Sequence, residues 1–101
     1  MPRVVWTEEA EEQLTAIPSD ETVEELLALA AGLARFTERG RRVPELENHP
    51  AYDIVREVVL PRKARVFYLF VPDSDEVIIL GLLSRGRSFR SRVLGPRFEM
   101  E

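Results

Sequence analysis

The chain has 101 residues, enough for one hydrophobic core and too few for two, so we expect a single domain over residues 1–101. With 45% hydrophobic and 32% charged residues it is typical of a globular domain, and no apolar run approaches the roughly 18 residues that cross a bilayer. Because it has no cysteine and no signal-peptide pattern, we expect a cytoplasmic protein with no membrane partner.

The charge is unevenly distributed along the chain. A net charge of −4 weighs against a protein that binds nucleic acid directly. However, residues 1–53 carry 12 acids against 5 bases, whereas residues 54–101 carry 9 bases against 6 acids. Every base except Lys63 is an arginine. This bias reflects either the base composition of the genome or a need for planar guanidinium groups, which suit phosphate and carboxylate recognition.

The first elements are a short strand and a helix. Residues 3–6 form a β-prone run that stops at Thr7, a favoured helix N-cap, and Glu8 and Glu9 follow where the helix dipole favours negative charge. One apolar stripe follows, formed by Ala10, Leu14 and Ile17. Pro18 is expected to end this helix.

A second, longer helix is predicted next. Ser19 or Asp20 caps its N-terminus, and Gly40 is the expected C-terminal stop. The apolar positions at the 3.6-residue period are Val23, Leu26, Leu27, Ala30, Leu33 and Ala34. Two helices joined by a Pro-Ser turn make a hairpin whose apolar faces must pack on another layer.

That other layer is a predicted β-sheet. Residues 54–60, 64–71 and 77–83 are apolar runs separated by short turn-type clusters, as expected of antiparallel neighbours. The predicted fold is α+β in the order β-α-α-β-β-β, with an N-terminal strand and a helical hairpin packed on a mostly antiparallel four-stranded sheet. The tail, residues 85–101, is expected to be a loop, a short edge strand or a flexible arm.

The order of these elements and several short motifs resemble the RelE/ParE superfamily of toxins from bacterial type II toxin–antitoxin systems. The motifs are VVWTxxAxxxL from Val4, GRRVPEL from Gly40, VRE from Val55, ARVFY from Ala64 and VIILGLL from Val77. No single motif is diagnostic. Their order and spacing over nearly the whole chain carry the resemblance, and the fold that it implies agrees with the one predicted from the residues.

The resemblance implies roles for particular side chains. In the RNA-cleaving branch of the superfamily, Glu45 matches a proline-linked glutamate that acts as a general base, and Arg65 matches an arginine that contacts the scissile phosphate. Arg56, Arg85 and Arg87 are expected to line the same basic surface, which would bind the target or a phosphate. No metal and no cofactor is implied.

Other observations oppose a catalytic role. RNA-cleaving members often place a His or Tyr acid after the final strand, whereas residues 83–89 here read LSRGRSF, and serine is too weak an acid. His49 lies in a predicted loop, and Tyr52 and Tyr68 are expected to pack in the fold. Glu45 itself has a second interpretation, as a surface ion pair with the arginines at positions 41 and 42.

Three functions remain open at this point. The favoured one is a ParE-like toxin that inhibits growth by binding DNA gyrase and is neutralised by a cognate antitoxin. The second is a RelE-like, ribosome-dependent mRNA endoribonuclease, and the third is a non-toxic module that binds the antitoxin or takes part in autoregulation. In each case the resemblance implies an antitoxin partner whose segment wraps the toxin, and contact with DNA only indirectly through that antitoxin.

Overall fold

The structure is a computed structural model that describes residues 1–95, in which two α-helices accompany one five-stranded sheet. The elements are β1 (Arg3–Trp6), α1 (Glu8–Thr15), α2 (Asp20–Gly32), β2 (Arg41–Arg42), β3 (Arg56–Leu60), β4 (Ala64–Val71) and β5 (Glu76–Ser84). Short 3₁₀ turns lie at Pro44–Leu46, Pro50–Tyr52 and Ser91–Leu94. The part of the predicted tail at 96–101 lies outside the described residues.

The strands lie in the order β1-β5-β4-β3-β2. The terminal strand β1 pairs in parallel with β5, and every other neighbouring pair is antiparallel. The predicted α+β fold, with its N-terminal strand, helical hairpin and mostly antiparallel sheet, is confirmed. The sheet has a fifth strand that the sequence analysis missed, because two residues at an edge show no alternating pattern.

The helix starts follow the predicted caps. The Thr7 hydroxyl accepts a hydrogen bond from the Ala10 N–H at 3.1 Å, and the Ser19 hydroxyl accepts one from the Thr22 N–H at 3.2 Å. These bonds satisfy backbone donors that the first helical turn leaves unpaired. Local side-chain chemistry therefore determines where both helices begin.

The predicted end of α2 at Gly40 is wrong, since the helix ends at Gly32. Beyond that residue the N–H groups of Leu33, Ala34 and Arg35 bond carbonyls three positions back, which tightens the backbone into turns. Gly40 has another role. A Cβ there would lie 2.6 Å from the Tyr68 ring and hydroxyl, so glycine allows the chain to approach that side chain closely.

The sheet has a hydrophobic cluster on each face. Both helices cover one face, where Leu26, Leu33, Tyr68 and Ile79 are fully buried. The opposite face is covered by the loops between β2 and β3 and by the C-terminal turn, which bury Phe67 and contribute core residues of their own. Those further members are Val43, Leu46, Val55 and Leu94. The long connection is therefore a structural layer, which keeps its charged residues close to the sheet.

The first part of the tail packs against β5. Residues 85–90 have no regular structure, and the following 3₁₀ turn places Leu94 in the core. The turn approaches so closely that a Cβ on Gly81 would lie 1.9 Å from the Val93 carbonyl oxygen. Gln13 links this turn to β5, because its side chain donates to the Val93 carbonyl oxygen at 3.1 Å and accepts from the Leu82 N–H at 2.6 Å. Within residues 1–95, neither helix has the length and hydropathy of a membrane span.

Candidate functional site

A basic groove opens at one end of the sheet, between the β3–β4 hairpin and the turn that follows β5. Its volume is about 420 Å³. The lining residues with cationic side chains are Arg62, Lys63, Arg65, Arg85 and Arg87, and the apolar ones are Val59, Leu60, Ala64 and Leu83. No acidic residue lines it among the residues that the structure describes. We call this site the basic groove.

Two turns build the groove. In the β3–β4 hairpin the Lys63 N–H bonds the Leu60 carbonyl at 3.0 Å, and Arg62 has φ = +68°. Proline at the first central position and a positive φ at the second are the features of a type II turn. On the other side, the Arg85 N–H donates to the Lys63 carbonyl at 2.9 Å, so the chain that leaves β5 is bonded directly to the hairpin.

Arg65 lies at the centre of an ion-pair network. Its Nη1 and Nη2 donate to the two carboxylate oxygens of Glu45 at 2.8 and 2.7 Å, and its Nε donates to Glu57 at 2.5 Å. The Glu45 contact is a bidentate pair, the geometry in which a guanidinium and a carboxylate interact most strongly. The two predicted catalytic residues thus lie together and bind each other.

The Arg65 guanidinium also lies over aromatic rings. Its carbon is 5.0 Å from the Phe67 ring centroid and 5.8 Å from that of Phe89, within the range of cation–π attraction. The rings of Phe67 and Phe89 meet edge to face at 5.4 Å. These contacts fix the orientation of the guanidinium plane and bring the segment after β5 over the opposite face of the sheet.

Glu57 is a buried acid that sequence analysis did not assign to the site. Its side chain has no exposed surface, and its second oxygen accepts a bond from Arg41 Nε at 2.9 Å. A signal existed in the sequence, because a glutamate and an arginine stand in two adjacent apolar strands. The register that places Glu57 opposite Phe67, and so diagonal to Arg65, was not readable from the sequence.

The ion pair changes the proton affinity of both of its members. The hydrogen bond from Arg65 holds the pKa of Glu45 below its ordinary value. The same bond to Glu45 raises the pKa of Arg65, so that this side chain remains a cation. A glutamate with a lowered pKa is a weak proton acceptor, and both of its oxygens already accept hydrogen bonds.

The other predicted binding residues divide between two places. Arg85 and Arg87 are exposed and line the basic groove with Arg65. Arg56 does not line it, because its side chain lies on the helix-covered face of β3 and donates to the Gly40 carbonyl at 2.9 Å. The structure therefore brings three of the four predicted binding arginines to one groove and assigns the fourth a bond to the backbone.

The remaining candidates lie apart from the groove. His49 stacks on Tyr52 with ring centroids 6.2 Å apart, in the loop between β2 and β3. Tyr68 is fully buried, as predicted for a packing residue. Arg42 is exposed and does not pair with Glu45, whose partner is Arg65. Within residues 1–95, no cluster of three His, Cys, Asp or Glu residues is arranged to hold a metal ion.

A second, smaller groove continues from the first. Its volume is about 260 Å³, and it shares Leu83 and Arg87 with the basic groove. Arg90 and Arg92 add two further cations to its lining. The two grooves form a basic band along the end of the sheet, in a chain whose net charge is negative. This band is the surface on which an anionic partner would find most cationic contacts.

Comparison with protein families shows which family this chain belongs to. Residues 4–89 match the model of the ParE toxin of the type II toxin–antitoxin system parDE. The chain belongs to this ParE toxin family. The superfamily resemblance predicted from the motifs is therefore confirmed. Comparison with curated proteins gave no significant match.

Solved structures show the fold of this ParE-family toxin. A chain of the RelBE2 toxin–antitoxin complex from Mycobacterium tuberculosis superposes with a TM-score of 0.70 at 20% identity, covering 84% of this chain and 100% of that one. The isolated RelE toxin of E. coli superposes with a TM-score of 0.65 at 11% identity, covering 87% and 88%. At such low sequence identities the structural similarity establishes the fold and does not identify the molecule that the toxin acts on.

Proposed function

We propose that this ParE-family toxin inhibits growth by binding DNA gyrase in the cytoplasm, without catalysis, and that a cognate antitoxin protein neutralises it. The observation that carries the proposal is the bidentate bond between Arg65 and Glu45, at 2.7 and 2.8 Å. It joins the two side chains that an RNA-cleaving mechanism would need to be free.

The chemistry of RNA cleavage explains why this pair matters. Attack of a 2′-hydroxyl on the adjacent phosphodiester needs a base for the hydroxyl, cations for the phosphorane charge and an acid for the leaving oxygen. Glu45 as base would act with a lowered pKa and with both oxygens bonded to Arg65. Arg65 in turn holds two carboxylates, so its charge is already largely compensated.

An acid for the leaving oxygen is also missing from the expected place. Residues 85–89, which follow β5 and include the groove-lining Arg85 and Arg87, contain no histidine and no tyrosine. A serine hydroxyl does not titrate near neutral pH and cannot replace them. Binding a protein target requires neither a base nor an acid, only a complementary surface, and the basic groove offers one.

A second candidate is the ribosome-dependent mRNA endoribonuclease. It is favoured by the proximity of Glu45 and Arg65, since these are the two positions that the resemblance associates with cleavage, and a substrate phosphate would have to displace Glu45 from the guanidinium. The third candidate, a non-toxic module that only binds the antitoxin, would leave both gyrase and ribosome unaffected.

The antitoxin partner is supported by family membership and by structural similarity. Two of the similar structures are described as toxin–antitoxin complexes, RelBE2 of Mycobacterium tuberculosis and the intact RelBE complex of E. coli. Antitoxin binding to this chain is expected to bring acidic side chains to the basic band, where half of the exposed arginines of residues 1–95 lie.

The test combines two assays on the purified toxin. In a gyrase supercoiling assay we expect inhibition by the wild-type protein. The Glu45→Gln variant, which removes the candidate base at nearly constant volume, should inhibit with a potency within about threefold of wild type. In a cell-free translation reaction with end-labelled mRNA, we expect intact RNA. Arg35→Gln, a charge change at an exposed position outside the groove, is the matched control for both.

Each alternative predicts a different pattern in these assays. Codon-phased cuts that appear only on translating ribosomes and disappear in Glu45→Gln would establish the endoribonuclease and reject gyrase as the target. Normal supercoiling together with intact mRNA and a normal protein yield would leave only the non-toxic module.

A further inference from the structure

We propose that Arg62, together with Arg85 and Arg87, binds an acidic segment of gyrase in the basic groove, and that the left-handed backbone at Arg62 is retained for this contact at the expense of stability. This inference rests on the proposed function. It adds a specificity-determining residue that neither the motifs nor the family resemblance assigned.

The first observation is the backbone of Arg62. Its φ of +68° lies in the left-handed region, where a Cβ collides with the following carbonyl and where turns of this type normally place glycine or asparagine. Asp75, the other non-glycine residue with positive φ in residues 1–95, belongs to a residue type that tolerates this conformation. An arginine side chain does not stabilise the left-handed conformation, so the strain at Arg62 indicates that the side chain has a functional role.

The second observation is the state of the five cations in the groove. Lys63 binds Glu25, and Arg65 binds Glu45 and Glu57. The other three, Arg62, Arg85 and Arg87, are exposed and have no acidic partner within residues 1–95.

The unpaired cations come from both walls of the groove. The hairpin tip supplies Arg62. The turn after β5 supplies Arg85 and Arg87, on either side of Gly86 at φ = +86°. The bond between the Arg85 N–H and the Lys63 carbonyl ties the two walls together, so the guanidinium groups are presented around one space on a fixed backbone. A carboxylate in that space can take bonds from both sides.

The third observation is the apolar lining, which distinguishes between two classes of anion. Val59 is 41% exposed there, and Leu60, Ala64 and Leu83 complete an apolar floor below the cations. A sugar-phosphate backbone has no large apolar side chain to bury on such a floor. A protein segment that carries acids beside apolar side chains matches both parts, the cationic rim and the apolar centre.

The test uses substitutions that separate charge from backbone strain. In Arg62→Gly both are removed, so we expect the thermal unfolding midpoint to rise by a few degrees while the concentration needed to inhibit gyrase supercoiling rises about tenfold. Arg62→Gln keeps the strain and loses the charge, and should show the same loss of inhibition without the gain in stability. Arg62→Lys keeps the charge and should inhibit much more like wild type.

Two controls are matched to these changes. Asp75→Gly introduces glycine at the other left-handed turn, outside the groove, and should inhibit gyrase like the wild-type protein. Arg35→Gln removes one exposed positive charge elsewhere and should do the same. Together they exclude a general effect of net charge or of turn flexibility on inhibition.

The outcomes separate this inference from the proposed function. Wild-type protein that leaves supercoiling intact would overturn both. If wild-type protein inhibits gyrase and Arg62→Gly inhibits equally well, only the inference fails. It also fails if Arg62→Gly loses binding to free duplex DNA or to the antitoxin but still inhibits gyrase, because the groove would then have a different occupant.

Discussion

The Tyr68 hydroxyl connects the turns that follow α2 to the sheet, and its removal tests how this connection stabilises the fold. Tyr68 is fully buried on β4. Its hydroxyl donates to the Thr37 carbonyl at 2.9 Å and accepts a bond from the Gly40 N–H at 2.7 Å. The Tyr68→Phe substitution removes both bonds and leaves the ring in place.

The expected magnitude follows from the surroundings of the two backbone groups. Gly40 is buried, so its N–H loses its partner without gaining water, which destabilises by about 1–3 kcal/mol. The Thr37 carbonyl lies in a partly exposed residue and can be hydrated, so its loss is smaller, about 0.5–1 kcal/mol. We expect the free energy of unfolding to fall by about 2–3 kcal/mol, which lowers the melting temperature by about 10 °C.

The same residue gives a prediction about alkaline pH. Burial raises the pKa of Tyr68 above the ordinary tyrosine value of about 10. The folded state therefore holds the phenolic proton more tightly than the unfolded chain does. This contribution is fully present below pH of about 10 and is lost as the pH rises through the higher folded pKa. Phenylalanine has no proton to lose, so Tyr68→Phe is not destabilised in this way at high pH. The difference in stability between the wild type and Tyr68→Phe should therefore become smaller above pH of about 10.

Urea and thermal unfolding, followed by circular dichroism at neutral pH and near pH 11, measure both effects. Thr37→Ala is the matched control, because it alters the side chain and keeps the backbone carbonyl that Tyr68 binds. A Tyr68→Phe protein that unfolds at the wild-type urea concentration would refute the reasoning. It would mean that the chain around Gly40 finds other partners for its backbone groups.

Three further predictions concern the ion network and the tail. Bonding to Arg65 lowers the pKa of Glu45, so Glu45 stabilises the fold above its ordinary pKa of 4.5 and loses this effect as the pH falls through the lower folded value. Glu45→Gln should therefore lose less stability than the wild type as the pH falls below about 4.5. If the stability of Glu45→Gln fell at acid pH as steeply as that of the wild type, this prediction would be wrong. Gly81→Ala places a Cβ 1.9 Å from the Val93 carbonyl oxygen and displaces the C-terminal turn, so it should lower the free energy of unfolding in urea by about 1–3 kcal/mol. Wild-type stability would show that this turn is not packed as described. Glu57→Gln should destabilise by about 2 kcal/mol, because two arginines lose a buried anion, and a neutral effect on the urea midpoint would argue against the network.

The sequence by itself determined the order and type of the elements. Hydroxyl caps at Thr7 and Ser19, the apolar stripe of each helix and the short turns between apolar runs are local signals, and each corresponds to an observed element. The run at residues 64–71 was predicted with the bounds of β4. Local chemistry suffices where the relevant partners are only a few residues apart.

The partners of the charged residues were decided by the tertiary structure. The two carboxylates that Arg65 binds belong to residues 20 and 8 positions away in the chain. They meet Arg65 only through the β3–β4 register and the loop that follows β2. Gly40 was likewise predicted to end a helix. The tertiary structure shows instead that the ring of Tyr68 occupies the space beside it, where a side chain would not fit. Composition and periodicity report which faces are buried; they do not report which buried charges meet, because that depends on distances between segments far apart in the chain.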